Sequence, residues 1–203
     1  LSPAALAAQD HDTWVLRPSN LLSGTSTPTR ATYAGGRFLL FSSTGTYWHS
    51  AAGTAAWTSG FLPTAPQSFN VNGAVSNGGK VVVTGANNIL YWTTDASVAG
   101  LPGTAISWTK LNPVSRGGAS PDLYSVRYAN GQFVVGVQDH ITGGDTVNYG
   151  SEFLVSTDGE TWTSKKILQS TTVAPPQFPS GFTFKPRDFA FRPGASPGTG
   201  NWV

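Results

Sequence analysis

Three segments of the chain share one pattern: a short strand, a glycine-containing turn, and a second strand that is apolar almost throughout. They lie at residues 33–40, 75–83 and 128–135. Their turns contain Gly-Gly or Asn-Gly, which readily adopt the positive φ angles of tight hairpin turns. The second strand of each segment is rich in Val, Leu and Phe, as is typical of a strand buried on both faces. The sequence therefore predicts three β-hairpins whose second strands lie inside sheets.

Each hairpin is followed by a third apolar strand and then by a turn that leads to a tryptophan. The closing residues are Trp57, Trp108 and Trp162, which are spaced by roughly fifty residues. The repeating unit is therefore predicted to be a four-stranded antiparallel sheet whose fourth strand ends at the tryptophan. Radial repetition of such sheets makes a β-propeller. A stack of meanders or a β-sandwich is the alternative that the pattern leaves open.

The repeat predicts a single all-β domain over residues 1–203, with units at about 15–57, 58–108 and 109–162 and a partial unit at 163–203. Residues 187–192 match the first strand of a fourth unit, and residues 200–203 match the start of its second strand. The propeller is therefore expected to be incomplete in this chain. A second polypeptide is the expected partner that completes it, and a further C-terminal part is the alternative source of the remaining blades. An ordinary tail at 200–203 is the alternative.

The turn at 156–162 reads Ser-Thr-Asp-Gly-Glu-Thr-Trp and resembles the Asp-box of sialidase-type (BNR) propeller repeats, one residue shorter than Ser-x-Asp-x-Gly-x-Thr-Trp. The other turns match that pattern less well. Ser and Asp side chains readily hydrogen-bond backbone groups of their own turn, and a tryptophan can fill the gap between two sheets. In the family these boxes lie away from the active site. The resemblance therefore implies structural roles for Ser156, Asp158, Gly159 and Trp162.

The order of strands determines which loops share a face of a propeller. Turns between first and second strands and between third and fourth strands lie on one face, and all other connections lie on the opposite face. The long segments 60–72, 111–122, 138–151 and 167–186 all fall on the opposite face, which the resemblance implies is also the ligand face. Long loops on a rigid scaffold often carry function. The candidate ligand-binding residues are Arg116, Asp139, His140, Asp145 and Tyr149, with solvated loop residues as the alternative interpretation.

Composition excludes several kinds of chemistry. The 203 residues include no Cys, and 12 Lys and Arg stand against 10 Asp and Glu. The chain therefore has no thiol nucleophile, disulfide or zinc–thiolate site, and its basic residues are too few and scattered to favour nucleic-acid binding. No apolar run approaches the roughly 18–20 residues that span a membrane. The three His residues show no metal-ligand spacing, so neither a metal nor a cofactor is predicted.

These features favour a non-enzymatic, extracellular or virion-surface module for glycan or protein binding or for assembly. Low charge, abundant Ser, Thr and Gly and the absence of Cys favour that location. The small-residue segment 1–9 is interpreted as a processed N-terminal arm, with a plain Ala-rich arm as the alternative. A third hypothesis is a structural component of a phage tail or surface appendage, docked between other chains. The alternative is a sialidase-like glycoside hydrolase whose catalytic residues lie partly outside this chain. Such an enzyme needs paired carboxylates or a Tyr nucleophile with its base, and no catalytic residue can be named here.

Overall fold

The computed structural model describes residues 27–51, 57–63, 69–94, 106–114, 120–140, 152–166, 183–184, 189–193 and 200–202. Within these ranges the chain is all-β, with sixteen strands. None of the described residues belongs to a helix that could cross a membrane. The expected arm at 1–9 and the opening of the first unit from residue 15 lie outside the described residues.

Twelve of the strands form three four-stranded antiparallel sheets in which the strand order follows the chain. The first sheet contains β1 (Pro28–Ala34), β2 (Arg37–Ser42), β3 (Thr46–Ala51) and β4 (Thr58–Phe61). The second contains β5 (Val71–Ser76), β6 (Lys80–Gly85), β7 (Ile89–Thr94) and β8 (Thr109–Leu111). The third contains β9 (Leu123–Ala129), β10 (Gln132–Val137), β12 (Glu152–Ser156) and β13 (Thr163–Lys166).

The three predicted hairpins are confirmed. Gly35 and Gly36 have φ angles of 54° and 76°, and Asn130 and Gly131 have φ angles of 49° and 74°. Both turns thus take the left-handed conformation that a two-residue hairpin needs. The second strands of the second and third hairpins are also buried as expected, because consecutive residues of β6 and β10 are buried on both faces. The expectation fails in part for the first hairpin, because Phe38 in β2 is 47% exposed.

The predicted position of the fourth strand is wrong, because that strand begins after the tryptophan in every sheet. β4, β8 and β13 start directly after Trp57, Trp108 and Trp162. In the third sheet the hydrogen bonds of the turn continue through Trp162, so ladder pairing with β12 starts only at Thr163. The residues after each tryptophan therefore belong to the same sheet as the residues before it.

Two hydrophobic cores join the three sheets face to face. Successive residues of a strand point to opposite faces, and Val81 and Val83 accordingly join the core shared with the first sheet. Val82 joins the core shared with the third sheet. Trp108 reaches back into the first of these cores, with its ring centroid 5.9 Å from that of Phe41 and 5.7 Å from that of Tyr47.

The first strands of the three sheets are also linked, by hydrogen bonds that cross from sheet to sheet. Arg30 Nε donates to Asn72 O (2.7 Å), and Asn72 Nδ2 donates to Leu123 O (3.0 Å). Each first hairpin carries a register shift close to these contacts, and a β-bulge of this kind turns backbone groups away from the ladder. Face-packed four-stranded sheets with linked first strands are consecutive blades of a β-propeller, which confirms the predicted fold class.

A short fourth element follows the third sheet. β15 (Phe191–Pro193) pairs antiparallel with β16 (Gly200–Trp202), in a register that places Phe191 opposite Trp202. Just before β15, the Phe189 ring lies 6.4 Å from that of Phe153 in the third sheet. The pairing of β15 with β16 agrees with the first hairpin that the repeat predicts for a fourth unit.

Replacing Trp108 by Ala should strongly destabilise the protein, because the indole fills the gap between two sheets. We expect a loss of about 3–5 kcal/mol in the free energy of unfolding, measured by urea denaturation. Trp108→Phe keeps a ring in the gap and should cost about half as much or less. A loss below about 1 kcal/mol for Trp108→Ala would show that this residue does not hold the sheets together.

Candidate ligand-binding face

Contacts between turns confirm, for the described residues, how the turns divide between two faces. On the face that we call the hairpin face, Lys80 at the end of the β5–β6 turn forms an ion pair with Glu160 in the β12–β13 turn. On the opposite face, called the loop face, the Leu62 amide donates to Gly45 O (3.0 Å). That bond joins the segment after β4 to the β2–β3 turn. The described ends of the long segments therefore lie on the loop face.

Asn88 fixes the segment between the second and third sheets to the loop face. Its Nδ2 donates to Val114 O (2.5 Å), and its Oδ1 accepts from Val114 N (3.0 Å). Its backbone amide donates to Pro121 O (2.6 Å), and its carbonyl accepts from Asn112 Nδ2 (2.9 Å). Asn88 is buried and has a φ angle of 56°, a conformation that asparagine tolerates better than most residues. One turn residue therefore holds both ends of the inter-sheet segment.

A second polar group extends this network from the second sheet to the third. The Asp122 carboxylate accepts from the Asn87 amide (3.0 Å), and Asp122 O accepts from the Gln138 amide (2.8 Å). The Tyr124 hydroxyl donates to Gln138 Oε1 (3.1 Å), and Tyr124 O accepts from Thr84 Oγ1 (2.6 Å). Asn87 is exposed, whereas Asp122, Tyr124 and Gln138 are half-buried. Amide, carboxylate and phenol groups are thus presented together on a firmly held surface.

The long loop that starts at Gln138 is joined to the segment after β13. β11 (Asp139–His140) pairs antiparallel with β14 (Thr183–Phe184), with Asp139 opposite Phe184 and His140 opposite Thr183. The structure therefore places the backbone of two predicted ligand-binding residues, Asp139 and His140, directly after the Asp122–Gln138 contact. The other three, Arg116, Asp145 and Tyr149, lie outside the described residues, so their place in a site stays a prediction.

The residues that form this network were not predicted from the sequence. The relevant signal was the Asn87-Asn88 pair in a short connection between two apolar strands, since asparagine is favoured at positive φ. Asp122 and Gln138 carried no comparable signal, because each is an ordinary polar residue where a long loop meets a strand. Their roles depend on contacts between residues far apart in the sequence, which no local pattern encodes.

On the hairpin face, the turn at 156–162 uses its polar side chains internally. Asp158 Oδ1 accepts from the amides of Thr161 (2.7 Å) and Glu160 (2.8 Å), and from Ser156 Oγ (2.8 Å). Ser156 Oγ also accepts from the Gly159 amide (2.8 Å), and Trp162 Nε1 donates to Gly159 O (3.2 Å). Gly159 has a φ angle of 74°. The oxygens of Ser156 and Asp158 thus hold the backbone of their own turn.

These hydrogen bonds also affect the ionisation of the Asp158 carboxyl group. The amides of Thr161 and Glu160 hold the pKa of Asp158 well below its ordinary value, because hydrogen bonds to a carboxylate stabilise its ionised form. Nearby, the Lys80 ammonium lies 4.2 Å from the centroid of the Trp92 ring while it pairs with Glu160. The hairpin face is therefore held together between the second and third sheets by charge as well as by packing.

Two buried titratable groups lie apart from the Asn87–Gln138 network. Burial and the neighbouring Arg37 lower the pKa of His49, whose ring stacks on that of Tyr47. Glu152, at the start of β12, accepts a hydrogen bond from Ser164. Within the described residues, no group of three or more His, Cys, Asp and Glu side chains is placed to hold a metal ion.

Comparison with known proteins finds similarity only among solved structures. No protein-family model matches the chain, and no curated protein matches its sequence. Among the solved structures that match, one described as YCF48 bound to D1 peptide is 16% identical, with a TM-score of 0.49. The alignment covers 71% of this chain and 42% of that chain. The chain thus spans less than half the length of that protein.

Replacing Asn88 by Ala should destabilise the loop face. Two backbone groups of Val114 would lose their partners in a buried site, at a cost of about 1–3 kcal/mol each. We expect a total loss of roughly 2–4 kcal/mol in urea denaturation, with faster hydrogen exchange around 112–122. Asn87→Gly is the matched control, because it removes an exposed side chain and keeps a φ of 60° accessible. A loss below about 1 kcal/mol for Asn88→Ala would contradict the role assigned to it.

Asp158→Asn should lower the free energy of unfolding at neutral pH, and this loss should become smaller in acid. The pKa of Asp158 is depressed on folding, so its stabilising contribution is complete above the unfolded-state value of about 3.9. That contribution declines as the pH falls further, because the unfolded chain then takes up the proton first. Urea denaturation of both proteins between pH 7 and pH 2.5 should show the difference narrowing below about pH 4. A difference that stays constant over that range would disprove the assignment.

Proposed function

We propose that this propeller is a non-enzymatic binding module that takes a glycan or protein ligand on its loop face, at an extracellular or virion surface. The observation that supports this most directly is the network of Asn87, Asp122, Tyr124 and Gln138, which borders the paired segments β11 and β14. Binding groups held by a rigid scaffold lose little conformational freedom when a ligand arrives.

The chemistry of the network favours a ligand rich in hydroxyl groups. Amide side chains both donate and accept hydrogen bonds, a carboxylate accepts, and a phenol does either while offering an apolar ring. Asn87, Asn112, Asp122 and Tyr124 provide all of these on one face. Sugar rings present hydroxyls in the plane and apolar C–H groups on their faces, so we favour a glycan over a protein ligand.

The two glutamates are not placed as the carboxyl pair of a glycosidase. The chain has only two, Glu152 and Glu160. Glu152 is the first residue of β12, and Glu160 lies beyond the last residue of that strand. That strand is five residues long, which separates the glutamates by at least about 13 Å. Carboxyl pairs in glycosidases lie roughly 5–9.5 Å apart. These glutamates also have other partners, Ser164 and Lys80.

A glycan array followed by calorimetry with the best oligosaccharide tests this proposal. Asn87→Gly and Tyr124→Phe should each weaken binding by about 3–10-fold, since each removes one polar contact group. Alanine at Asp139, His140, Asp145 or Tyr149 should weaken it further if the 138–151 loop contacts the ligand. Thr163→Ala, in the fourth strand of the third sheet, is the control and should bind normally.

Two outcomes would contradict the proposal. Unchanged affinity in every loop-face variant would place the ligand elsewhere on the molecule. Release of a free sugar from the bound oligosaccharide, seen by mass spectrometry, would favour the hydrolase instead.

A second part of the proposal concerns assembly. We propose that a second polypeptide supplies further blades and completes the propeller, since closure of the ring removes exposed sheet edges.

A further inference from the structure

A histidine is buried at the contact between the first and second sheets. His49 is 1% exposed, and its ring stacks on that of Tyr47 with centroids 6.3 Å apart. The two residues are two positions apart in β3, so both point toward the second sheet. Tyr47 belongs to the core shared by these sheets, and its hydroxyl accepts a hydrogen bond from the Ile106 amide (2.9 Å). His49 therefore supports the ring that joins the first sheet to the segment before β8.

Arg37 determines which form of the imidazole fits at this position. Its Nη1 lies 3.5 Å from Nδ1 of His49. A guanidinium group can only donate hydrogen bonds, so Nδ1 must carry a lone pair and the proton of the neutral ring lies on Nε2. Protonation of the ring would place one N–H group opposite another and bring two positive charges together.

Nothing in the described part of the chain is placed to stabilise the protonated ring. Nε2 of His49 is buried and has no hydrogen-bond partner there. The only ion pair among the described residues joins Lys80 to Glu160, so no carboxylate neutralises Arg37 or pairs with His49. Burial and the neighbouring Arg37 accordingly lower the pKa of His49, because both disfavour the charged form.

The strands packed around His49 add no negative charge. Its register partners in β2 and β4, Leu39 and Thr58, are uncharged. On the facing side of the second sheet, the Tyr91 phenol is neutral between pH 5 and 8. Lys110 pairs with Tyr91 and so shares that side, but it is exposed to solvent. Among the described residues, the charged groups on the facing sides of the two sheets are all cations: Arg30, Arg37 and Lys110.

We propose that His49 forms a pH-sensitive contact, which holds the first sheet against the second while the imidazole is neutral and loosens when mild acid protonates it. The unfolded chain takes up this proton near the ordinary histidine pKa of about 6.5, whereas the folded chain does so only at lower pH. The stabilising contribution is therefore complete above about pH 6.5. It is lost as the pH falls from there toward the folded-state pKa. This device is independent of the proposed ligand.

Urea denaturation between pH 8 and pH 5 tests the effect on stability. One histidine with an ordinary unfolded-state pKa can raise the unfolding equilibrium constant at pH 5 by at most about thirtyfold. We expect a rise several-fold larger in the wild-type chain than in His49→Phe, which keeps a ring against Tyr47 but takes up no proton. Equal pH dependence of the two proteins would overturn the proposal.

An NMR titration gives the same test without a substitution and serves if His49→Phe does not fold. The His49 imidazole signal, assigned by its contact with the Tyr47 ring protons, should titrate at a pH below the ordinary histidine range. A midpoint at or above about pH 6.5 would show that the folded chain accepts the proton freely, which the proposal forbids.

Arg37→Met tests the part played by the facing charge. It keeps an aliphatic stem and removes the guanidinium, so the pH dependence should become weaker, although burial of the ring maintains part of it. Lys110→Met is the matched control, because it removes an exposed cation from the same side of the neighbouring sheet and should leave the pH dependence unchanged. No change in Arg37→Met would contradict the role assigned to Arg37.

Hydrogen exchange locates the loosening. Protection factors are compared at pH 7 and pH 5 after correction for intrinsic exchange rates. The amides of β3 and of residues 106–108 should lose at least about threefold more protection than those of β10 in the third sheet, because opening at one contact affects its own surroundings first. A loss that is uniform over the three sheets would rule out a local contact that loosens in acid.

Discussion

The close approach of the first strands of neighbouring sheets is the constraint on which the architecture depends. At Gly73 in β5, a Cβ would lie 2.9 Å from Val126 N and 3.0 Å from Tyr124 O, both backbone atoms of the third sheet. Backbone cannot move aside as a side chain can, so only glycine fits at this point of the described structure. Bulges at the start of each first strand then turn polar groups toward the neighbouring sheet. The hydrogen bonds from Arg30 through Asn72 to Leu123 follow from that geometry.

Farther from the first strands, the packing of neighbouring sheets depends on residues that reach from one sheet to the next. Trp108 reaches from the second sheet into the first, and the turn at Gly159 lies between the third sheet and Lys80 of the second. In both cases the segment just before the fourth strand contacts the preceding sheet.

The sequence predicts the hairpins, the four-stranded sheets and the division of turns between two faces, because these follow from local turn chemistry and strand order. It misplaces the fourth strands, because where pairing resumes after Trp162 depends on hydrogen bonds within the turn. The polar network of the loop face escapes prediction for a different reason. Asp122 becomes a partner of Asn87 only once two sheets are packed together, and that contact joins residues far apart in the chain. The predicted site residues at 139–140 lie next to this network, while the remaining ones fall outside the described residues.

The most direct test of the account is the contact between first strands, measured by NMR on the isotopically labelled chain. The structure predicts a nuclear Overhauser effect between a Gly73 α-proton and the Val126 amide proton, two groups that no local sequence contact would bring together. Observing it would establish that the second and third sheets adjoin through their first strands, as in consecutive blades. Its absence, with both resonances assigned and the sheets intact, would contradict the propeller arrangement.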